Sequence, residues 1–277
     1  MQSNDLHAYL KKTGLHTPPA LTLVGLTALH KAQHRCMPFE NFDVVLNREV
    51  SVEPDAIVQK LVYRARGGYC FELNGLLQQV LKTVGFTARA LIGRVHLTGT
   101  ASGRGHLITL VEIDNQPWIV DAGFGSATPR APLPLVLDQP LMTDTQCFRF
   151  IQTPEYGYML QLRVAAEFTD ESADEYTWSN LYSFDLEAVC RGDITYGNFY
   201  SANAPSSVFV TSRISALPTE NGIVTLLNNT LKRVENGHSE IIELPDGDAY
   251  IAALKTHFGI ELDATCDQFR PLAPPML

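Results

Sequence analysis

The chain has 277 residues, 45% of them apolar and 18% charged, with a formal net charge of −9, a length beyond the usual domain of roughly 100–200 residues that allows two or three modules around one cleft. The acidic balance repels a polyphosphate backbone and argues against a nucleic-acid partner. No run of about 18 apolar residues offers a membrane span, and the opening Met1 to Leu10 has neither a basic n-region nor an apolar h-region, so an unexported, cytosolic protein without a membrane partner is expected.

In chain order, Leu6 to Lys11, Leu21 to Cys36 and Pro54 to Arg64 carry apolar residues at helical spacing, broken by Pro18-Pro19 and Pro38. Leu73, Leu76, Leu77, Val80, Leu81 and Val84 repeat at three and four residues and predict one amphipathic helix opening near Cys70 and stopped by Gly85. From Phe86 the texture changes to strands: Ala88 to Leu97, His106 to Ile113, Trp118 to Asp121, Cys147 to Gln152, Tyr158 to Val164 and Tyr176 to Phe184. Asp114 to Pro117 is a turn, and Pro129 to Pro134 a loop of fixed path. Strands near Val208, Val224 and Ile241, a Glu235-Asn236-Gly237 turn and a helix from about Asp246 to His257 complete the pattern. An α+β fold follows, with modules over 1–85, 86–195 and 196–277.

Five cysteines, an odd number without a C-x-x-C pair, read as reduced thiols, and Cys70 is the one set apart by its position. It falls in the first turn of its helix, after Gly67-Gly68, where unpaired N–H groups and the helix dipole favour a thiolate and can bind the oxyanion of an acyl intermediate. Glu72 suits the same dipole as an N-terminal acid. Arg64 and Arg66 read either as partners for carboxylates at a module junction or as contacts to a phosphate.

A cysteine nucleophile needs an imidazole, and the imidazole needs a group that fixes its tautomer. His7, His16, His238 and His257 lie in polar or terminal contexts, and His30 and His34 stand four apart on a helix without the companions of a metal-binding helix, so no metal is expected. His106 follows Gly103-Arg104-Gly105 at a strand mouth, and Asp121 closes a buried apolar run that would need a partner for its charge. A hairpin turning at Asn115 sets Asp121 opposite Thr109 or Leu110, several residues from His106, so a bulge or twist has to bring the pair together.

Taken in order, His34, Met37-Pro38-Phe39-Glu40-Asn41-Phe42, Arg66-Gly67-Gly68-Tyr69-Cys70-Phe71-Glu72-Leu73-Asn74, Arg94-Val95, His106-Leu107, Val120-Asp121-Ala122-Gly123-Phe124-Gly125, Pro132-Leu133 and Asn198-Phe199-Tyr200 leading to Pro205-Ser206-Ser207-Val208-Phe209 resemble an arylamine N-acetyltransferase over most of the chain. The resemblance implies an N-terminal helical bundle, a central β-barrel and a C-terminal α/β lid around a papain-like core. It implies Cys70 as nucleophile, His106 as base and Asp121 as its orienter, acting by a ping-pong transfer from acetyl-CoA, a co-substrate rather than a resident cofactor, to an arylamine or aryl hydrazine.

It further implies that Phe71, Phe124 and Phe209 line the acceptor pocket, and Gly125 and Ser126, in the loop after Asp121, are candidates to present backbone donors to the pantetheine or pyrophosphate of CoA; no phosphate-loop motif marks a CoA site. An amide synthase releasing a carrier-bound polyketide and a cysteine hydrolase would use the same triad, and both stay open, as does the oligomeric state.

Overall fold

The computed structural model of the chain describes residues 1–165 and 176–272. Its first third is helical: α1 (Ser3–Lys12), α2 (Leu23–Cys36), the short α3 (Phe42–Val45), α4 (Pro54–Leu61) and α5 (Cys70–Val84), with strand β1 (Phe39–Glu40) between α2 and α3. Thr22 caps α2, its Oγ1 accepting from Gly25 N at 3.3 Å. Gly85 closes α5 in the left-handed region, at φ 117°, where a side chain would be strained. At the other end of α5 the Glu72 carboxylate accepts from the Tyr69 backbone N–H at 3.2 Å, so the first turn begins at Cys70. Leu73, Leu76, Leu77, Val80 and Leu81 of α5 are buried against α2, α4 and the sheet, and Val84 is partly buried.

The central strands form an eight-stranded antiparallel sheet that curls into a nearly closed barrel. They are β2 (Thr87–Val95), β3 (Arg104–Ile113), β4 (Gln116–Val120), β5 (Leu133–Pro134), β6 (Leu141–Thr143), β7 (Gln146–Thr153), β8 (Gly157–Ala165) and β9 (Tyr176–Phe184), in the spatial order β5-β4-β3-β2-β9-β8-β7-β6. Phe148, Phe150, Leu160, Tyr182 and Phe184 fill its interior. The expected α+β architecture of helical bundle and barrel is therefore the observed one.

The β3–β4 register corrects one expectation. Asp114 and Asn115 both take positive φ, 51° and 61°, and make a two-residue turn that pairs Ile113 with Gln116. The ladder ends at Thr109 opposite Val120, so continuing it by one residue brings Asp121 level with Ile108. His106 is then the diagonal neighbour on the same face, a distance long side chains span. No bulge in this pair is needed; the one in β3 lies on its other side, against β2 at Gly93 and Arg94.

Beyond the barrel come helix α6 (Arg191–Asn203) and helix α7 (Val208–Thr211), where the sequence had suggested a strand near Val208. Ser207 caps α7, its Oγ accepting from Phe209 N. Helix α6 escaped the sequence reading because Gly192, Gly197, Thr195 and three aromatic residues weaken the helical pattern, and Tyr196, Phe199 and Tyr200 point outward. Strands β10 (Ile214–Pro218), β11 (Gly222–Leu227), β12 (Thr230–Glu235) and β13 (His238–Glu243) extend β1 into a five-stranded sheet, packed on α8 (Asp248–Phe258) through Tyr250, Leu254 and Phe258.

Candidate active site

Cys70 begins α5 and is 3% exposed, at the floor of a cavity of about 850 Å³. Among the described residues no protein acceptor pairs with the backbone N–H of Cys70 or Phe71, as first-turn geometry dictates. Its Sγ lies 3.6 Å from the Gly105 carbonyl oxygen, which brings the thiol to the residue preceding His106.

His106 donates from Nε2 to Asp121 Oδ2 at 2.7 Å, with both side chains nearly inaccessible. That bond leaves Nδ1 for the neighbouring thiol. Burial alone would lower the imidazole pKa, but the Asp121 carboxylate, its hydrogen bond and the Cys70 thiol outweigh it and push it up to about 10. For Asp121, burial is overcome by the His106 charge and by hydrogen bonds from His106, Asn74 and Gly123, which hold the carboxyl below its usual range. Cys70, His106 and Asp121 thus meet in one constellation.

Three residues that sequence reasoning missed support it. Asn74, one turn along α5 from Cys70, donates from Nδ2 to Asp121 Oδ1 at 2.8 Å and to Leu107 O at 2.6 Å, while its Oδ1 accepts from Ala122 N at 2.8 Å. Tyr182 packs against His106 with ring centroids 4.8 Å apart, Phe124 covers another side at 4.7 Å, and the two aromatic rings are themselves 4.9 Å apart. Burial and the nearby Asp121 charge raise the Tyr182 pKa well above the usual phenol value, so its hydroxyl stays protonated. Phe39 stands on the cavity wall beside Phe209, their ring centroids 6.0 Å apart. The signal for Asn74 was present, since an Asn one helical turn after a first-turn Cys lies on the same face.

Of the residues expected around the acceptor, Phe124 and Phe209 line the cavity, and so do Gly125 and Ser126. Phe71 does not: it is 1% exposed and packs beneath α6, where a Cβ on Gly197 would come within 2.8 Å of its ring. The helical phase sends Phe71 into the core when Cys70 faces the cavity. Tyr196, Tyr200 and Val208, all largely exposed, form much of the cavity mouth.

The motif residues farther out hold these parts together. Asn41 donates from Nδ2 to Phe209 O at 2.8 Å and Ser212 O at 2.7 Å, and its Oδ1 accepts from Ile214 N at 2.8 Å, fixing α7 over the cavity. Tyr69 Oη donates to Asn198 Oδ1, and Asn198 Nδ2 donates to Val50 O at 2.9 Å, which ties α6 to the bundle.

Beneath the α5 N-terminus lies a buried ionic cluster. Arg66 bonds Glu40 at 2.8 Å and Asp43 at 2.9 Å; Lys60 bonds Asp43 at 2.6 Å and Glu72 at 2.7 Å. Burial pushes the Glu72 carboxyl up, against the pull of Lys60. Arg66 therefore pairs with carboxylates, both of them within the helical first third, and Glu72 stands as an acid in the first turn of α5.

Comparison with known proteins shows which family the chain resembles. A family model described as N-acetyltransferase matches residues 22–266. The arylamine N-acetyltransferase / N-hydroxyarylamine O-acetyltransferase of Salmonella typhimurium is 37% identical over 262 residues, covering 92% of this chain and 88% of the relative, and the Escherichia coli arylamine N-acetyltransferase is 35% identical over 93% and 89%. Among solved structures, the Salmonella typhimurium arylamine N-acetyltransferase superposes with a TM-score of 0.86 at 35% identity, covering 94% of this chain and 92% of that one. The Mycobacterium marinum arylamine N-acetyltransferase in complex with CoA does so with 0.83 at 30% identity, covering 92% of each chain.

Proposed function

The chain belongs to the arylamine N-acetyltransferase family, and from that premise we propose that it transfers an acetyl group from acetyl-CoA to the nitrogen of arylamines and aryl hydrazines through an acetyl-cysteine on Cys70. The observation that carries this reading is the alignment of Cys70, His106 and Asp121 at the floor of an apolar cavity. Neither an amide synthase nor a hydrolase is named among the relatives reported above, and the reading needs neither.

In the first half-reaction the Cys70 thiolate attacks the thioester carbonyl, and the free N–H groups at the α5 N-terminus stabilise the oxyanion. The C–S bond to CoA breaks as His106 gives its proton to the departing thiolate. In the second, the amine nitrogen attacks the acetyl-cysteine, His106 takes a proton from it, the bond to Sγ breaks, and the N-acetyl product leaves with Cys70 again a thiolate. Asp121 keeps the imidazole oriented and stabilises its charged form in both.

An aromatic amine suits the second step because its nitrogen is unprotonated at neutral pH. Phe39, Phe124 and Phe209 offer it flat apolar surface. Gly125 and Ser126, on the cavity wall, are our candidates for backbone contact with the pantetheine arm of CoA. We place the reaction in the cytoplasm on the sequence reading.

Steady-state rates measured against both substrates test the proposal. Parallel double-reciprocal lines with acetyl-CoA and an aromatic hydrazine are expected; intersecting lines, meaning a ternary complex without an acyl-enzyme, would refute it.

A further inference from the structure

We propose that His30, on α2 and outside the reacting constellation, is a positioning residue that clamps the Asp121–Ala122 peptide and so holds the Asp121 carboxylate on His106. The inference rests on the function proposed above.

Asp121 stands one residue past β4, so its carbonyl has left the sheet ladder. Among the described residues no backbone N–H donates to it. The His30 Nε2 lies 2.9 Å from that oxygen. A carbonyl only accepts, so the imidazole must carry its proton on Nε2 and present a bare Nδ1.

The same peptide group is held at its other polar end, where Ala122 N–H donates to Asn74 Oδ1 at 2.8 Å. One peptide plane is thus gripped by side chains from two helices, His30 of α2 and Asn74 of α5. The carboxylate oxygens are divided in turn: Oδ1 accepts from Asn74 and Gly123, and Oδ2 is left to His106. Fixing the peptide plane fixes the origin of the Asp121 side chain and therefore the direction of the bond to His106.

The second observation is what His30 gives up. Its ring is fully buried, and among the described residues Nδ1 has no hydrogen-bond partner. An apolar side chain would fill that space without an orphaned acceptor, so the retained imidazole points to the Nε2–H bond as the reason for its presence. The ring cannot turn freely, because His34 packs edge-on against it with centroids 5.8 Å apart. Burial keeps His30 neutral despite the pull of Asp121, with Lys31 acting in the same direction as burial, and His34 is held neutral too, so neither places a rival charge behind the Asp121 carboxylate.

The test compares His30→Gln, His30→Asn and His30→Leu with the unaltered protein. A glutamine amide reaches the position of Nε2, an asparagine amide only that of Nδ1, and leucine fills the volume without a donor. The readouts are the single-turnover rate of Cys70 acetylation by acetyl-CoA, the alkaline limb of its pH profile, and KM for the aromatic acceptor.

We expect His30→Gln to stay within about threefold of the unaltered rate, and His30→Asn and His30→Leu to fall about tenfold or more, with the alkaline limb moved to lower pH and the acceptor KM unchanged. Where His30→Leu fails to fold, the Gln and Asn pair decides. Equal rates and limbs in all four proteins, or a folded His30→Gln as impaired as His30→Asn, would overturn the assignment. No acetylation of the unaltered protein would instead remove the proposed function on which it stands.

Discussion

His106 and Asp121 are diagonal partners across β3 and β4, two residues out of direct register and on the same face, and their side chains meet at 2.7 Å. The geometry is a consequence of the Asp114-Asn115 turn, since a turn one residue longer would put Asp121 on the opposite face. The bond is also what keeps the imidazole charged. Replacing Asp121 by Asn should lower kcat/KM on the order of 10³–10⁴-fold by releasing the tautomer, and should move the alkaline limb of the profile down from about 10. A pH series of kcat/KM checks both; an unmoved limb would mean that another group keeps His106 protonated.

The same pair sets a stability window. The folded-state pKa of His106 is raised, so its contribution is fully present below the ordinary imidazole value of about 6.5 and is lost as pH rises through about 10. Asp121 is lowered, so its contribution is lost as pH falls through the acid range. The Tm difference between the unaltered protein and Asp121→Asn should therefore be widest between these limits and narrow at both ends. A difference independent of pH would assign the loss to packing alone.

Gly123 follows Asp121 closely because the chain must cross the start of α5. A Cβ there would stand 3.1 Å from Cys70 Cα and 3.2 Å from both Asn74 Nδ2 and Leu73 Cβ. Gly123→Ala should cost about 1–3 kcal/mol by overpacking and slow acetylation, because the atoms displaced carry the nucleophile and Asn74. Thermal melts with single-turnover rates measure both; full activity at unchanged Tm would show that the loop relaxes without disturbing α5.

Asn41 acts at a distance from the reacting atoms. Its amide makes three bonds that fix α7, which carries Phe209 over the cavity. Asn41→Ala should cost about 2–3 kcal/mol and raise the acceptor KM several-fold while leaving the rate of Cys70 acetylation nearly intact. Loss of the first half-reaction to the same extent would place Asn41 in the nucleophile's own support instead.

Much of this was legible in the residues. The apolar repeat of Leu73 to Val84 and the stop at Gly85 located α5 and put Cys70 in its first turn. The His106–Asp121 pairing is legible in the residues but its route is not: a turn centred on Asn115 calls for a bulge, whereas the turn shared between Asp114 and Asn115 shifts the register by one residue and makes the pair diagonal neighbours. Helix α6 was missed because its aromatic residues point to solvent and the cavity mouth, leaving no buried stripe to read. The family resemblance implies Phe71 as a pocket residue, but neighbours in a helix lie about 100° apart and face different surroundings, and in this structure Phe71 is buried beneath α6 while Cys70 lines the cavity. The helical spacing places Asn74 on the face of Cys70, but the partners of Asn74 and His30 lie 33 residues or more away in sequence and Tyr182 acts by packing on a single ring, which no local pattern encodes.

The central claim is that Cys70 carries the acetyl group between two half-reactions. Intact mass of the protein mixed with acetyl-CoA alone, followed by addition of an aromatic hydrazine, tests it most directly. One acetyl adduct, absent in Cys70→Ala and discharged by the hydrazine into its N-acetyl product, is the predicted result; an adduct that persists in Cys70→Ala, or product formed by that variant at the unaltered rate, would contradict it.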